Sequence, residues 1–181
     1  ETAPAGIIGP MALRTSCLLG GSGFVGTHLA AALARDGWRI TVPTRNPAAA
    51  GHLAMIPTLR LVAADVHDPA QLAMLCAGQQ AVVHLIGILN EAGRNGHGFA
   101  RAHAEFARKL VEACGRQKVD RLLQVSALNA DADHGPSHYL RSKGQAERIL
   151  REESGPDLRC TIFQPSVIFG PGDSFLNRFA G

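Results

Sequence analysis

Short apolar runs and longer helical periods alternate along the chain from Met11 onward. The runs are Ser16–Leu19, Arg39–Val42, Leu59–Ala63, Ala81–Ile86, Leu122–Val125 and Cys160–Phe163. Runs this short, bounded by turn residues, fit strands buried on both faces of a parallel sheet. Between them, Val25, Leu29 and Leu33 recur every four residues, and Asp36-Gly37 stops that helix. Phe99, His103, Phe106, Leu110 and Ala113 step by four and three, predicting a helix over Phe99–Gln117. Tyr139, Lys143, Ala146 and Leu150 share one face of a helix over Tyr139–Glu153, which Ser154-Gly155-Pro156 ends. Strand–helix alternation with right-handed crossovers predicts the α/β class, a doubly wound parallel sheet with helices on both faces. No repeat, linker or low-complexity tract interrupts it.

The turn after the first strand is rich in glycine. Gly21, Gly23 and Gly26 satisfy G-x-G-x-x-G, and Gly20, Gly23 and Gly26 satisfy G-x-x-G-x-x-G. A pyrophosphate must approach backbone N–H groups at a helix N-terminus, where a Cβ would stand in its way. The strand before and the helix after supply the context this pattern needs; the alternative is a bare structural turn. The second strand ends at Pro43-Thr44-Arg45-Asn46. An acid about twenty residues past the glycines would bond a ribose 2′-hydroxyl. Arg45 stands there instead and suits a 2′-phosphate, so NADP(H) is preferred over NAD(H); the alternative is a solvated loop arginine. Asp65-Val66 ends the third strand, where the acid either meets the adenine amino group or makes an ordinary turn.

Composition narrows the classes. Hydrophobic residues make 46% and charged residues 18% of the 181, which excludes a disordered chain. No apolar run is long enough for a membrane span. A net charge of +3 without a basic run gives no nucleic-acid footprint. Cys17, Cys76, Cys114 and Cys160 are far apart and read as buried, reduced thiols of a cytoplasmic protein. Eight histidines form no metal motif: His134 and His138 read as loop residues and His84 as core, so no metal is expected.

The chain has one tyrosine, Tyr139, and one of its lysines, Lys143, follows four positions later. These positions are stacked neighbours on a helix. A cation beside a phenol favours phenolate; lowering its pKa by about 3 units takes about 4 kcal/mol, which Lys143 and a cationic nicotinamide would share. Ser126 follows the fifth strand, at the sheet edge where such folds bind ligands. The alternative for the pair is an ordinary surface Tyr and Lys.

Together the glycine turn, Asp65-Val66, Ser126, Tyr139-x-x-x-Lys143 and Gln164-Pro165-Ser166-Val167-Ile168-Phe169-Gly170-Pro171-Gly172 resemble the short-chain dehydrogenase/reductase superfamily. The last segment is similar to its extended, epimerase-type branch. Leu85-Ile86-Gly87-Ile88-Leu89, Ser126-Ala127-Leu128-Asn129-Ala130, Tyr139-Leu140-Arg141-Ser142-Lys143 and the segment from Phe169 to Asn177 resemble the nucleotide-binding accessory subunits of respiratory complex I and their bacterial relatives. The resemblance implies a Rossmann-type fold with Tyr139 as acid/base, Lys143 on the ribose and Ser126 on substrate. It implies nucleotide contacts from Gly20, Ser22, Gly23, Phe24, Val25 and Gly26 in the turn. Arg45, Asp65 and Val66 would serve the adenosine end. Leu85, Ile86, Gly87, Tyr139, Lys143, Pro165 and Val167 would serve the nicotinamide end. Three departures weaken sugar-nucleotide epimerisation: a short Ser-to-Tyr gap, His103 where a helix asparagine is often seen, and Gln164 in place of arginine.

Two functions follow: an NAD(P)-dependent oxidoreductase or epimerase/dehydratase-like enzyme on an unknown small molecule, or a non-catalytic NADPH-binding accessory, assembly or redox-sensing protein. The second implies peripheral respiratory-chain association, and family analogy implies a homodimer through the two long helices. Residues 1–10 are expected to be a vector-derived or disordered leader, 11–172 the dinucleotide-binding domain, and 173–181 the start of a substrate region largely absent from this chain. Phe175, Leu176 and Phe179 fit one helix face there.

Overall fold

The computed structural model describes residues 14–91 and 95–173; the expected leader and the helix face at Phe175, Leu176 and Phe179 lie outside them. The strands are β1 (Thr15–Leu19), β2 (Arg39–Thr44), β3 (Leu59–Ala63), β4 (Ala81–His84), β5 (Arg121–Val125) and β6 (Arg159–Phe163). They form one six-stranded sheet in the order β3-β2-β1-β4-β5-β6, with every pair parallel. The order reverses between β1 and β4, which opens a crevice at the C-terminal ends of those strands.

Alternation along β1 sorts the core into two layers. Cys17 and Leu19 face one layer with Val82, Leu122 and the helices α2 (Pro69–Cys76), α4 (Phe106–Arg116) and α5 (His138–Glu153). Leu18 faces the other with Ile40, Val42, Val83 and Ala30 of α1 (Phe24–Arg35). A fully buried Leu such as Leu18, Leu110 or Leu122 contributes about 1.5–3 kcal/mol.

The elements differ from the sequence expectation most at β4, β2, α2 and the long helix. Strand β4 ends at His84 rather than Ile86, because the chain leaves the sheet where Gly20 backs onto Leu85 and Ile86. Strand β2 runs on to Thr44, pairing with β3 through Thr44 and Ala63; Pro43 is tolerated there because the register with β1 ends at Thr41. Helix α2 was not anticipated, although Asp68 caps it through the Ala70 and Gln71 N–H groups and Pro69 occupies its first turn. The long helix is not uniform: α3 (His97–Ala100) passes through a π-helical turn, Arg101–Glu105, into α4. That wider turn buries His103 and Ala104.

Glycines in two helices meet opposite surroundings. A Cβ on Gly144 of α5 would overlap the backbone of Asp131 and Ala132, whereas one on Gly115 of α4 meets nothing. Gly144→Ala is expected to lower unfolding free energy by roughly 2 kcal/mol or more through overpacking. Gly115→Ala is expected to raise it by up to about 1 kcal/mol through helix propensity. Urea unfolding of the two variants checks the contrast; equal effects would refute this packing of α5.

Candidate functional site

The glycine turn is shaped by close approach. Gly20 has φ +83°, and a Cβ there would lie 3.1 Å from Ile86 N. A Cβ on Gly21 would lie 2.9 Å from the Leu18 side chain, and one on Gly26 would overlap Gly21. The fold itself therefore requires these three bare. Gly23 is different: a Cβ there meets only Gly20 O at 3.4 Å, an ordinary contact. Gly23 is also the N-cap of α1, with no side chain capping the helix and no acid in its first turn. The N-terminus of α1 thus presents uncapped backbone to the crevice, as a phosphate-binding turn must.

A cleft of about 750 Å³ begins at this turn and runs along the strand ends. Its wall includes Gly20, Gly23, Phe24, Val25 and Gly26 at one end. Leu85 and Gly87 follow from β4, Ser126 from β5 and Tyr139 and Lys143 from α5, with Pro165 and Val167 beyond β6. The segment after β6 folds back over α1, where the ring of His28 bonds Pro171 O at 3.0 Å and Gly170 sits on the Phe24 ring. Ser22, Arg45, Asp65, Val66 and Ile86 are not part of this wall. Arg45 is exposed at the end of β2 with no bonded partner among the described residues. Asp65 makes a turn: its carboxylate accepts from the His67 N–H at 2.9 Å, and Val66 packs on the core. Asn129, with φ 62°, and Asp173 also line the cleft. Both lay inside segments that carried the family resemblance, but neither was singled out as a site residue.

Three groups meet at the inner end. Ser126 is buried, and its Oγ has no hydrogen-bond partner among the described residues. Lys143 is 4% exposed and donates to Val125 O at 3.0 Å. Its Nζ lies 6.0 Å from the centre of the Tyr139 ring, over the face. Burial lowers the Lys143 pKa to about 8, against the opposing pull of Glu147. Burial raises the Tyr139 pKa above its ordinary value in this arrangement, opposite in direction to the lowering expected from Lys143 together with a bound nicotinamide.

Beneath them lie two buried histidines. His84 pairs through Nδ1 with Gln124 Oε1 and packs 4.9 Å from the Phe106 ring. Burial and then the Lys143 charge lower the pKa of both His84 and His103 to about 3. Lys143 is therefore the charged member of this group at neutral pH. Gln164 donates to both oxygens of buried Glu147, at 2.8 and 3.0 Å, which gives the glutamine at that position a structural role.

Sheet order, glycine turn and cleft define a dinucleotide-binding protein of the Rossmann type. The sequence model of the NAD(P)H-binding family matches residues 20–172, and the chain belongs to that family. It is 30% identical over 175 residues to NADH dehydrogenase (ubiquinone) 1 alpha subcomplex subunit 9, mitochondrial, of Dictyostelium discoideum, covering 90% of this chain and 45% of that protein. It is 32% identical over 157 residues to the ceramide reductase of Caulobacter vibrioides, covering 87% and 47%. The chain thus spans about half the length of the curated relatives it matches. Among solved structures, the UDP-Glc/GlcNAc 4-epimerase from Campylobacter jejuni superposes with TM-score 0.73 at 19% identity, covering 83% of this chain and 53% of that one. MoeE5 in complex with UDP-glucuronic acid and NAD gives 0.72 at 24%, covering 91% and 59%. These likenesses establish a fold of the short-chain dehydrogenase/reductase and epimerase kind.

The two histidines set an acid limit on stability. Both have folded-state pKa values near 3, below the ordinary 6.5, so the unfolded chain binds more protons between those values. Stability is then expected to fall as pH drops through that window. His84→Leu should lose less stability than the unmodified protein between about pH 7 and about pH 5, by urea midpoints at each pH. An equal loss would show that His84 already titrates normally in the folded protein.

Proposed function

We propose that the chain is the nucleotide-binding part of an NADP(H)-dependent reductase that acts on a small carbonyl compound. The observation that carries this reading is the Ser126 hydroxyl, buried without a partner in the same cleft wall as Tyr139 and Lys143. An orphaned buried hydroxyl costs about 1–3 kcal/mol, which a substrate oxygen would recover. The bare Gly23 and the uncapped start of α1 fit a pyrophosphate.

A bound nicotinamide nucleotide would supply the hydride. Ser126 Oγ would hold the substrate oxygen, and the Tyr139 phenol would give that oxygen its proton. Burial that raises the Tyr139 pKa keeps the phenol protonated, the form that reduction needs. Lys143 would hold the ribose while its bond to Val125 O fixes its place. Unpartnered Arg45 supports a 2′-phosphate and hence NADP(H), with NAD(H) the alternative. The similarity to a ceramide reductase supports a reductase reading. Four unpaired thiols support a reducing compartment, the cytoplasm. Among the described residues no helix is long and apolar enough to cross a membrane.

A second reading is a non-catalytic NADPH-binding accessory or redox-sensing protein at the edge of a respiratory complex. It draws on the similarity to the complex I subunits and on Lys143 being held by a carbonyl rather than by the phenol oxygen. A homodimer through α4 and α5 would pair polar outer faces that carry Arg108, Glu112, Arg116 and Glu153.

Native mass spectrometry of the purified protein is expected to show co-purifying NADPH; NAD in its place would sink the Arg45 argument. Arg45→Ala should weaken NADPH binding roughly tenfold or more while leaving NADH binding unchanged. In the full-length protein, Tyr139→Phe should cut turnover of an identified carbonyl substrate by at least about 100-fold and leave NADPH affinity intact. Full activity in that variant would remove Tyr139 from the chemistry. A nucleotide held without turnover across a carbonyl panel would favour the accessory reading.

A further inference from the structure

Two hydrogen bonds converge on His103 and leave its ring one protonation state. The Ile88 N–H donates to Nε2 at 3.2 Å, so that nitrogen carries the lone pair. Ser142 Oγ lies 2.8 Å from Nδ1 and donates its own proton to Tyr139 O at 2.7 Å. A hydroxyl has one proton to give, so Nδ1 must be the donor to Oγ. The ring is neutral, protonated on Nδ1, and uses both nitrogens. It is fully buried, and the groups that face it, Lys143 from α5 and His84 from β4, both oppose a second proton.

The chain of bonds joins two walls of the cleft. Ile88 belongs to the loop after β4, next to Gly87, where a Cβ would lie 3.3 Å from Lys143 Nζ and 3.5 Å from His103 Nε2. Ser142 and Tyr139 belong to the first turns of α5. His103 reaches both from the π-helical turn. Its ring also stands edge-on to the Tyr139 ring, with centroids 5.5 Å apart and planes at 83°. Phe99 closes on the same phenol at 5.8 Å and 73°.

We propose that His103, acting through Ser142, is a positioning residue that fixes Tyr139 against the loop carrying Gly87 and Ile88, so that the phenol and the β4 side of the cleft keep one geometry. His103 need not touch the reacting atoms to do this. The proposal rests on the reading of Tyr139 as the proton donor and is independent of the preference for NADP(H).

Tyr139 is the chain's one tyrosine, so ultraviolet titration of phenolate reads it alone. His103→Phe keeps a ring but deletes both bonds, Ser142→Ala deletes the middle link, and His103→Gln keeps a donor and an acceptor. His103→Phe and Ser142→Ala are each expected to lower the Tyr139 titration midpoint by about half a pH unit or more, because a loosened wall wets the phenol. The double variant should shift no further than His103→Phe, and His103→Gln should recover most of the shift. An unmoved midpoint, additive shifts or no recovery overturns the proposal. Nitrogen-15 NMR of the unmodified protein supplies a test that needs no variant to fold. It should show a neutral ring protonated on Nδ1 from about pH 5 to about pH 8, and an Nε2–H tautomer or ordinary titration overturns the proposal. NADPH binding is measured on the same samples. Absence of NADPH binding in the unmodified chain would sink the NADP(H) reading alone, whereas an unmoved midpoint with NADPH bound would sink the positioning role alone.

Discussion

Close backbone approach at three glycines is the constraint on which the site depends. Gly21 and Gly26 let the start of α1 lie directly on the end of β1. Gly20 lets the same turn back against Leu85 and Ile86, which ends β4 and throws the following loop outward. A single methyl group at any of the three would force movement of backbone rather than of a flexible side chain. The crevice therefore has fixed walls before any ligand arrives, and the uncapped start of α1 is aimed into it. Of the turn's glycines, Gly23 alone is bare for no internal reason.

The inner end is organised by desolvation. His84, His103 and Lys143 are all buried and all able to carry positive charge. Burying three cations together is prohibitive, so two stay neutral and one keeps a reduced hold on its proton. Lys143 is supported from behind by Glu147, which in turn is held by Gln164 and by Arg151 at 2.8 Å. This layered arrangement ties α5 to the segment after β6.

Much of this was legible in the sequence. Apolar alternation located all six strands, and the glycine spacing located the turn, because both depend on local chemistry. Ser126, Tyr139 and Lys143, separated along the chain, do line one cleft. What escaped depends on contacts between distant segments. Helix α2 is only eight residues long, so its periodicity is faint, and its better signal was Asp68-Pro69. The π-helical turn is hidden because Phe99, His103 and Phe106 still step by four and three. The cysteines are far apart in sequence, yet Cys17, Cys76 and Cys114 pack together in one layer of the core. The direction of the Tyr139 shift could not be read from Lys at +4, since spacing fixes the neighbour but not how far the phenol is buried.

Holding a dinucleotide and reducing a carbonyl make different demands on such a cleft. Binding needs the strand edge, the helix terminus and the bare glycines, all supplied by the described residues. Reduction also needs water kept from the hydride and from the phenol. At the rim, Leu89 is 72% exposed, Leu128 50% and Val167 54%, so the described residues offer an apolar border rather than a closed wall. The inner groups, by contrast, are more sheltered: the Ser126 hydroxyl is buried without a partner, and burial raises half-buried Tyr139 and lowers Lys143. Desolvation of this kind strengthens each hydrogen bond that a substrate oxygen would make. The proposed proton donor thus lies inward of an apolar rim formed by Leu89, Leu128 and Val167.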